Sequence, residues 1–570
     1  MKTQIEIQKV LEYSDIFPDE ERVDVPAVLK KYNREVLIGV VNVLGLNYGN
    51  AYMPDTTLFS KDSAKRVEEL NERFAKYAPQ LVGQRFCYCT LRTILEFLRN
   101  VFSIPVDEYL DNWREEDFEY DVFRVLIQLN EYLMQFSGGK EKINLPINMY
   151  FLCYVLNDVV DTNWKEACTT QILYFLKLKE FLEQEKNKYL CDKLCNKLGV
   201  KSLEKYLVTV LGLVSLYVSE QQENTKKNVV LNIENQPYLS KTICDYISLD
   251  VNATYPYDSE NTNDRESNID YRMFRSHPLI KCDDGKYYLY SLPLLCERIY
   301  NSLFFDLKPF YKGNFFQFYN SEFVEQYLFQ NIMLECIGKK STSFFPHKED
   351  IGKAEEKDQP DFYIREQESI ILFECKGIKI NGTLKDKSDI SELVAELKNK
   401  LYLSSTNIQR GGVEKVKANT VGVTQLVKLI NLIEDDKFQW DKNIPDDVAY
   451  YPVLVIEDPK IVQLGLMSLI NNWYQPLLNE QLAETVSYPI IVMSINTLFL
   501  YKDEFRRFGF SCIFNSFFRT YDNRHNIGIE WTLNPFADFN SYMKKNYKKS
   551  TSAVEYINKQ IKSISKLQIQ

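Results

Sequence analysis

Apolar residues recur at three- and four-residue spacing through the first part of the chain. The clearest segments are 90–103, 119–136 and 164–189. That spacing puts one apolar stripe on a helix, so the segments predict amphipathic helices. The longest apolar runs, 36–46 and 207–218, fall short of the ~20 residues that cross a bilayer and read as buried helix or strand. No solenoid-like repeat is present. Residues 1–250 are therefore expected to form a mainly helical region. It carries no catalytic constellation, which suits a regulatory or sensing role through a protein partner or a second copy of the chain.

The pattern then changes. Residues 254–268 are polar, acidic and turn-rich, as a linker is. Two short apolar runs flank Asp283-Asp284-Gly285 and predict a hairpin, with a helix over 294–306. These make 251–313 a connecting unit. From 314 to 540 helices and strands alternate. A helix is expected over 319–335, strands over 342–346, 361–365 and 369–375, helices near 388–403 and 419–434, and strands over 451–457 and 488–494. Such alternation implies a mixed sheet covered by helices. The fold class is α+β and multidomain: a mainly helical first half, then an α/β domain around a mixed central sheet.

The segment that carries chemistry lies between two of those strands. Asp361 follows Pro360 and opens one strand, while Glu374 and Lys376 close the next. Side chains alternate along a strand, so Glu374 and Lys376 share a face and Cys375 takes the other. A tight reversal brings Asp361 beside Glu374. Two carboxylates ~4 Å apart repel by roughly 4 kcal/mol at an effective dielectric of about 20. A divalent cation reverses that sign, and Mg²⁺ favours one or two carboxylates completed by water and phosphate. Asp284-Gly285-Lys286 and Glu396-Leu397-Lys398 repeat the acid-x-Lys spacing, but in a predicted turn and a predicted helix. Only Glu374-Cys375-Lys376 ends an apolar run, Ile370-Ile371-Leu372-Phe373. Charges at the buried end of a core strand cost several kcal/mol unless they are used. The plainer alternative is an ion pair capping a strand edge.

Composition narrows the picture. The 570 residues carry a net charge of -10, which excludes a uniformly basic coat and leaves local basic surfaces open. One such region is the tail 541–570, with seven Lys against the single acid Glu555. It reads as a solvated amphipathic helix or a phosphate-contacting one. The opening MKTQIEIQKV has no apolar signal core, and the twelve Cys are scattered among apolar stretches, which predicts a cytoplasmic chain with reduced thiols. Cys87-Tyr88-Cys89 and Cys191 with Cys195 lack the partner pairs a zinc site needs. Gly411-Gly412 reads as a flexible turn rather than a phosphate loop, His277 as a turn residue, and His347 as a group near the site.

With these residues in place, 320–435 resembles the PD-(D/E)XK nuclease superfamily, the restriction-endonuclease-like fold, whose core order is αβββαβ. Glu325, in Phe323-Val324-Glu325-Gln326-Tyr327-Leu328, fits the acid of the first helix, with Glu322 as the second choice. Gln425, in Val423-Thr424-Gln425-Leu426, fits the Gln of the helix after the hairpin. The resemblance implies that Asp361 and Glu374 bind Mg²⁺ or Mn²⁺ and that Lys376 assists the attacking water. By the same resemblance Glu325 steadies the metal, Gln425 supports the site or touches DNA, and the Cys375 backbone carbonyl is a further ligand. Lys415, Lys417 and Lys428 flank Gln425. They are expected either to face the nucleic-acid backbone or to form a solvated helix face. The function implied is metal-dependent phosphodiester hydrolysis, endo- or exonucleolytic, with DNA the first substrate to expect and RNA left open. A place among prokaryotic restriction or antiviral defence effectors follows from the same resemblance. The competing expectation is the same fold without catalysis, acting as a nucleic-acid-binding or assembly module.

Overall fold

In the computed structural model the described residues are 9–47, 59, 63–82, 86–110, 115–133, 152, 164–223, 230–233, 236, 238–255, 271–337, 344–345, 359–382, 384, 389–410, 413–482, 485–521, 534 and 537–566. The first half is helical where its apolar spacing predicts. Helices cover Arg34–Asn47, Leu91–Ser103, Glu115–Leu133, Trp164–Leu182 (α1) and Leu203–Glu223. The fold class is α+β, and among the described residues no single helix is long and apolar enough to cross a membrane.

The buried apolar residues form two clusters. One gathers residues from 11 to 129 with Leu249, Val251, Tyr271, Phe274, Ile280, Tyr290 and Leu294. The other runs from Leu152 to Ile557 and holds α1, the mixed sheet and the C-terminal helices in one core. The hairpin around Asp283-Asp284-Gly285 forms as Leu279–Lys281 paired antiparallel with Tyr287–Leu289, and Gly285 supplies the left-handed turn residue (φ 78°). The expected helix over 294–306 is instead two short ones, Leu292–Glu297 and Leu303–Leu307. Pro293 sits at the start of the first, where a missing N–H costs nothing.

The sheet that carries the candidate site is entered by continuous helix over 315–337. Its middle, Tyr319–Phe329 (α2), is π-wound, and Gln330–Ile337 (α3) returns to α geometry. Strand Phe362–Glu366 (β1) reverses through Gln367, at φ 56°, into Ser369–Lys376 (β2). The register pairs Phe362 with Phe373 and Glu366 with Ser369. Phe344, from the expected strand over 342–346, bridges Arg365 on the outer side of β1.

Helix Ile390–Leu401 (α4) follows. Leu403–Arg410 (β3) and Val413–Thr420 (β4) then form a separate two-stranded antiparallel ribbon. This corrects the expectation of a helical stretch starting at 419, because Val423–Glu434 (α5) begins only after the ribbon. Gly422 makes that restart possible. Its φ is +50° and a Cβ there would lie 2.2 Å from the Leu401 carbonyl oxygen. Ala449–Ile456 (β5) then pairs parallel with β2, and Ile491–Ser494 (β6) pairs parallel with β5, giving the order β6-β5-β2-β1.

Helices cover both faces. Phe373 meets Phe329 and Phe510 on one side, at ring separations of 6.3 and 5.3 Å. On the other, Tyr363, opposite Leu372, meets Phe438 just beyond α5 at 5.2 Å.

Candidate active site

The end of β2 collects the charges. Ile370 through Phe373 are fully buried because β2 is the inner strand between β1 and β5. Glu374 continues that run and is itself 0% exposed. Strand alternation returns Lys376 to the same face, and its ammonium contacts Glu374 Oε1 directly. Apart from Lys376, neither carboxylate oxygen of Glu374 has a hydrogen-bond partner among the described residues. Burial pushes the Glu374 carboxyl well above its ordinary range. Asp361 and Glu325 push it the same way, and Lys376 opposes them. For Lys376, burial disfavours the charge, but Glu374, Asp361 and Glu325 together outweigh it and raise the pKa. The surrounding carboxylates thus favour the charged ammonium.

Asp361 stands just before β1. Its Oδ2 accepts the Cys375 N–H at 2.7 Å, and its own N–H donates to the Phe373 carbonyl at 3.1 Å. A strand residue's N–H and C=O project to the same side. The Cys375 carbonyl therefore projects toward Asp361, past the end of β1. Gln330, one residue into α3, donates its side-chain N–H to the Asp361 carbonyl. Sequence reasoning missed Gln330, whose role depends on a contact across 31 positions.

Helix α2 closes the strand end. Glu325 Oε1 lies 4.0 Å from Lys376 Nζ. Glu322, the second choice for the first-helix acid, instead pairs with Lys186 at 2.7 Å. The helix can approach because residue 377 is glycine: a Cβ there would lie 2.2 Å from Asn320 Oδ1 and 3.3 Å from Val324 Cγ2. Asn320 Oδ1 is buried without a hydrogen-bond partner among the described residues. π-wound segments are rare and recur at functional sites, and this one carries Asn320, Val324 and Glu325 to the strand end.

The structure thus brings Asp361, Glu374, Lys376 and Glu325 together around the Cys375 backbone. Gln425 lies half-buried on α5, which packs against β2, and among the described residues no hydrogen bond joins it to Glu374 or Lys376. Lys428 is half-buried on the same helix. Lys415 and Lys417 lie on β4, so the expected helix face is corrected to a strand. Their two-residue spacing, with Val416 and Ala418 between and beyond, is strand periodicity. Their side chains, His347 and Gly411-Gly412 are outside the described residues. His277 ends the helix Arg272–Ser276, and burial lowers its pKa.

Among the described residues no group of three or more His, Cys, Asp or Glu side chains forms a ready metal cage. The donor set is smaller: two carboxylates and a backbone carbonyl. It suits a hard oxygen-seeking cation that keeps water and phosphate in its shell. The observation that fits such a group is Glu374, whose buried carboxylate has Lys376 as its one donor among the described residues, because a buried carboxylate short of donors is costly. Comparison of the chain with protein-family models, with curated proteins and with solved structures finds no match.

Proposed function

We propose that this chain is a metal-dependent nuclease of the PD-(D/E)XK type, hydrolysing phosphodiester bonds in DNA. The observation that carries the reading is Glu374. A fully buried carboxyl group, short of hydrogen-bond donors, sits at the end of a core strand beside a second carboxylate and the Lys376 ammonium. The order of elements supports it in part: helix, an isolated bridge at Phe344, β1, β2, α4, the β3–β4 ribbon, α5, then parallel β5. The resemblance implies αβββαβ, against which the Phe344 bridge stands where its first strand is expected and the ribbon is an insertion.

In this reading Asp361 and Glu374 would hold Mg²⁺ or Mn²⁺, with the Cys375 carbonyl as a neutral third donor. A divalent cation held there supplies Lewis-acid activation of water and neutralises phosphate charge. Lys376 keeps its proton at Nζ and orients the attacking water by hydrogen bonding, while its charge opposes that of the phosphate. Glu325 balances Lys376 from α2 and sets which way the ammonium leans. Asp361 is oriented by the Cys375 N–H and its peptide by Gln330.

The test is incubation of the full chain with linear and circular DNA and with RNA, in Mg²⁺ and in chelator. Metal-dependent cleavage that disappears in Asp361→Ala and Lys376→Ala supports the reading. Cleavage by both variants at the parent rate refutes it.

A further inference from the structure

A second buried acid–lysine pair stands one residue beyond the first. Glu457 follows β5, and its N–H donates to the Lys376 carbonyl at 3.0 Å. Its side chain is 0% exposed and its Oε2 is 3.0 Å from Lys379 Nζ. Tyr300 donates its hydroxyl to Glu457 Oε1 at 2.7 Å, and Tyr319 donates to the Tyr300 hydroxyl oxygen. Tyr174, on α1, donates to the Glu457 carbonyl at 3.0 Å and meets the Tyr300 ring edge-on at 5.2 Å. All three tyrosines are buried.

Each donor comes from a different part of the chain. Lys379 belongs to the segment that leaves β2 just past Lys376. Tyr319 is the first residue of α2, the helix that brings Glu325 to Lys376. Tyr300 belongs to the connecting unit and Tyr174 to the helical first half. Glu457 therefore fastens both flanks of Lys376, the strand exit and the acid-bearing helix, to one carboxylate. A buried ion pair adds little stability over an apolar pair of the same shape, so packing alone gives no reason for this carboxylate.

We infer that Glu457 is a positioning residue for the Lys376 site: with Tyr300, Tyr319 and Lys379 it fixes β2 and α2 relative to each other, and through Tyr174 it couples the helical first half to that site. The inference rests on the nuclease reading. Residues that orient a metal site from behind its ligands typically cost 10–100-fold in metal affinity or activity when changed.

The experiment uses the full chain with Mn²⁺ as probe, titrated calorimetrically at a temperature well below each variant's Tm. The variants are Tyr300→Phe, Tyr319→Phe, Glu457→Gln and Asp361→Ala. The tyrosine changes remove one hydroxyl each, so they remain informative where Glu457→Gln fails to fold. The parent is expected to bind Mn²⁺ and Asp361→Ala to lose it. Tyr300→Phe and Tyr319→Phe are expected to bind about tenfold more weakly, with kcat lowered by a similar factor and KM for DNA unchanged. Parent-like affinity and kcat in both tyrosine variants, alongside a dead Asp361→Ala, overturn this inference alone. A parent that takes up no Mn²⁺ overturns the metal reading and this inference together.

Discussion

The two buried acid–lysine pairs at the end of β2 differ in one respect. Glu457 is saturated: it takes Lys379 and the Tyr300 hydroxyl, and that hydroxyl is backed by Tyr319. Glu374 has Lys376 and no other donor among the described residues. Both are fully buried, so both lose the same hydration. In the proposed reading, the carboxylate whose donors the protein supplies is a fastener, and the one left short of donors is where a cation would bind. Charge satisfaction, more than burial or residue type, separates the two roles.

That contrast predicts opposite responses to the same substitution. Glu457→Gln leaves Lys379 buried without its counter-charge and lowers folding stability by about 3 kcal/mol, measured by denaturant unfolding in the absence of divalent cations. Glu374→Gln removes a buried charge short of donors while Lys376 keeps Asp361 and Glu325 as counter-charges, and raises stability by about 1 kcal/mol under the same conditions. Equal losses in both variants would erase the distinction.

The pH dependence sharpens it. The folded-state pKa of Glu374 is raised above its ordinary value of 4.5, chiefly by burial and then by Asp361. The folded protein therefore favours the protonated form. Its contribution to stability is present below 4.5 and lost as pH rises through the raised folded value. The Tm advantage of Glu374→Gln over the parent should grow as pH climbs from 4.5 toward 8, and Mg²⁺ added to the parent should shrink it. A pH-independent difference would contradict a buried, donor-poor carboxylate. An effect of comparable size is expected from Gly377→Ala. The atom it meets first is Asn320 Oδ1, at the end of a side chain that can turn. The cost should be about 1 kcal/mol, read by denaturant unfolding, with a larger proportional loss of Mn²⁺ affinity because α2 is pushed from the strand end.

Asp361, Glu374 and Lys376 were legible in the sequence because strand alternation and a short reversal are local rules. Fourteen positions separate the Asp361 carboxylate from the Cys375 N–H that holds it, and one hairpin closes that gap. The parts that were not legible depend on distance along the chain. Gln330 reaches Asp361, and Tyr300 and Tyr174 reach Glu457, across 31, 157 and 283 positions. No local pattern marks Glu457, which looks like any acid after a strand. The choice between Glu322 and Glu325 required the π-wound geometry of α2, which shifts residues around the helix relative to α spacing. The β3–β4 ribbon was missed for another reason. Helices are expected near 388–403 and 419–434 with Gly411-Gly412 as a flexible turn, whereas two strand-period runs on either side of a Gly-Gly are also a hairpin signal.

The most direct test of the central claim is cleavage of plasmid and linear DNA by the parent, Asp361→Ala and Lys376→Ala in matched Mg²⁺ and chelator. The account predicts cleavage by the parent in Mg²⁺ only, and a loss on the order of 100-fold or more in each variant. Cleavage in chelator, or variants as active as the parent, would contradict it.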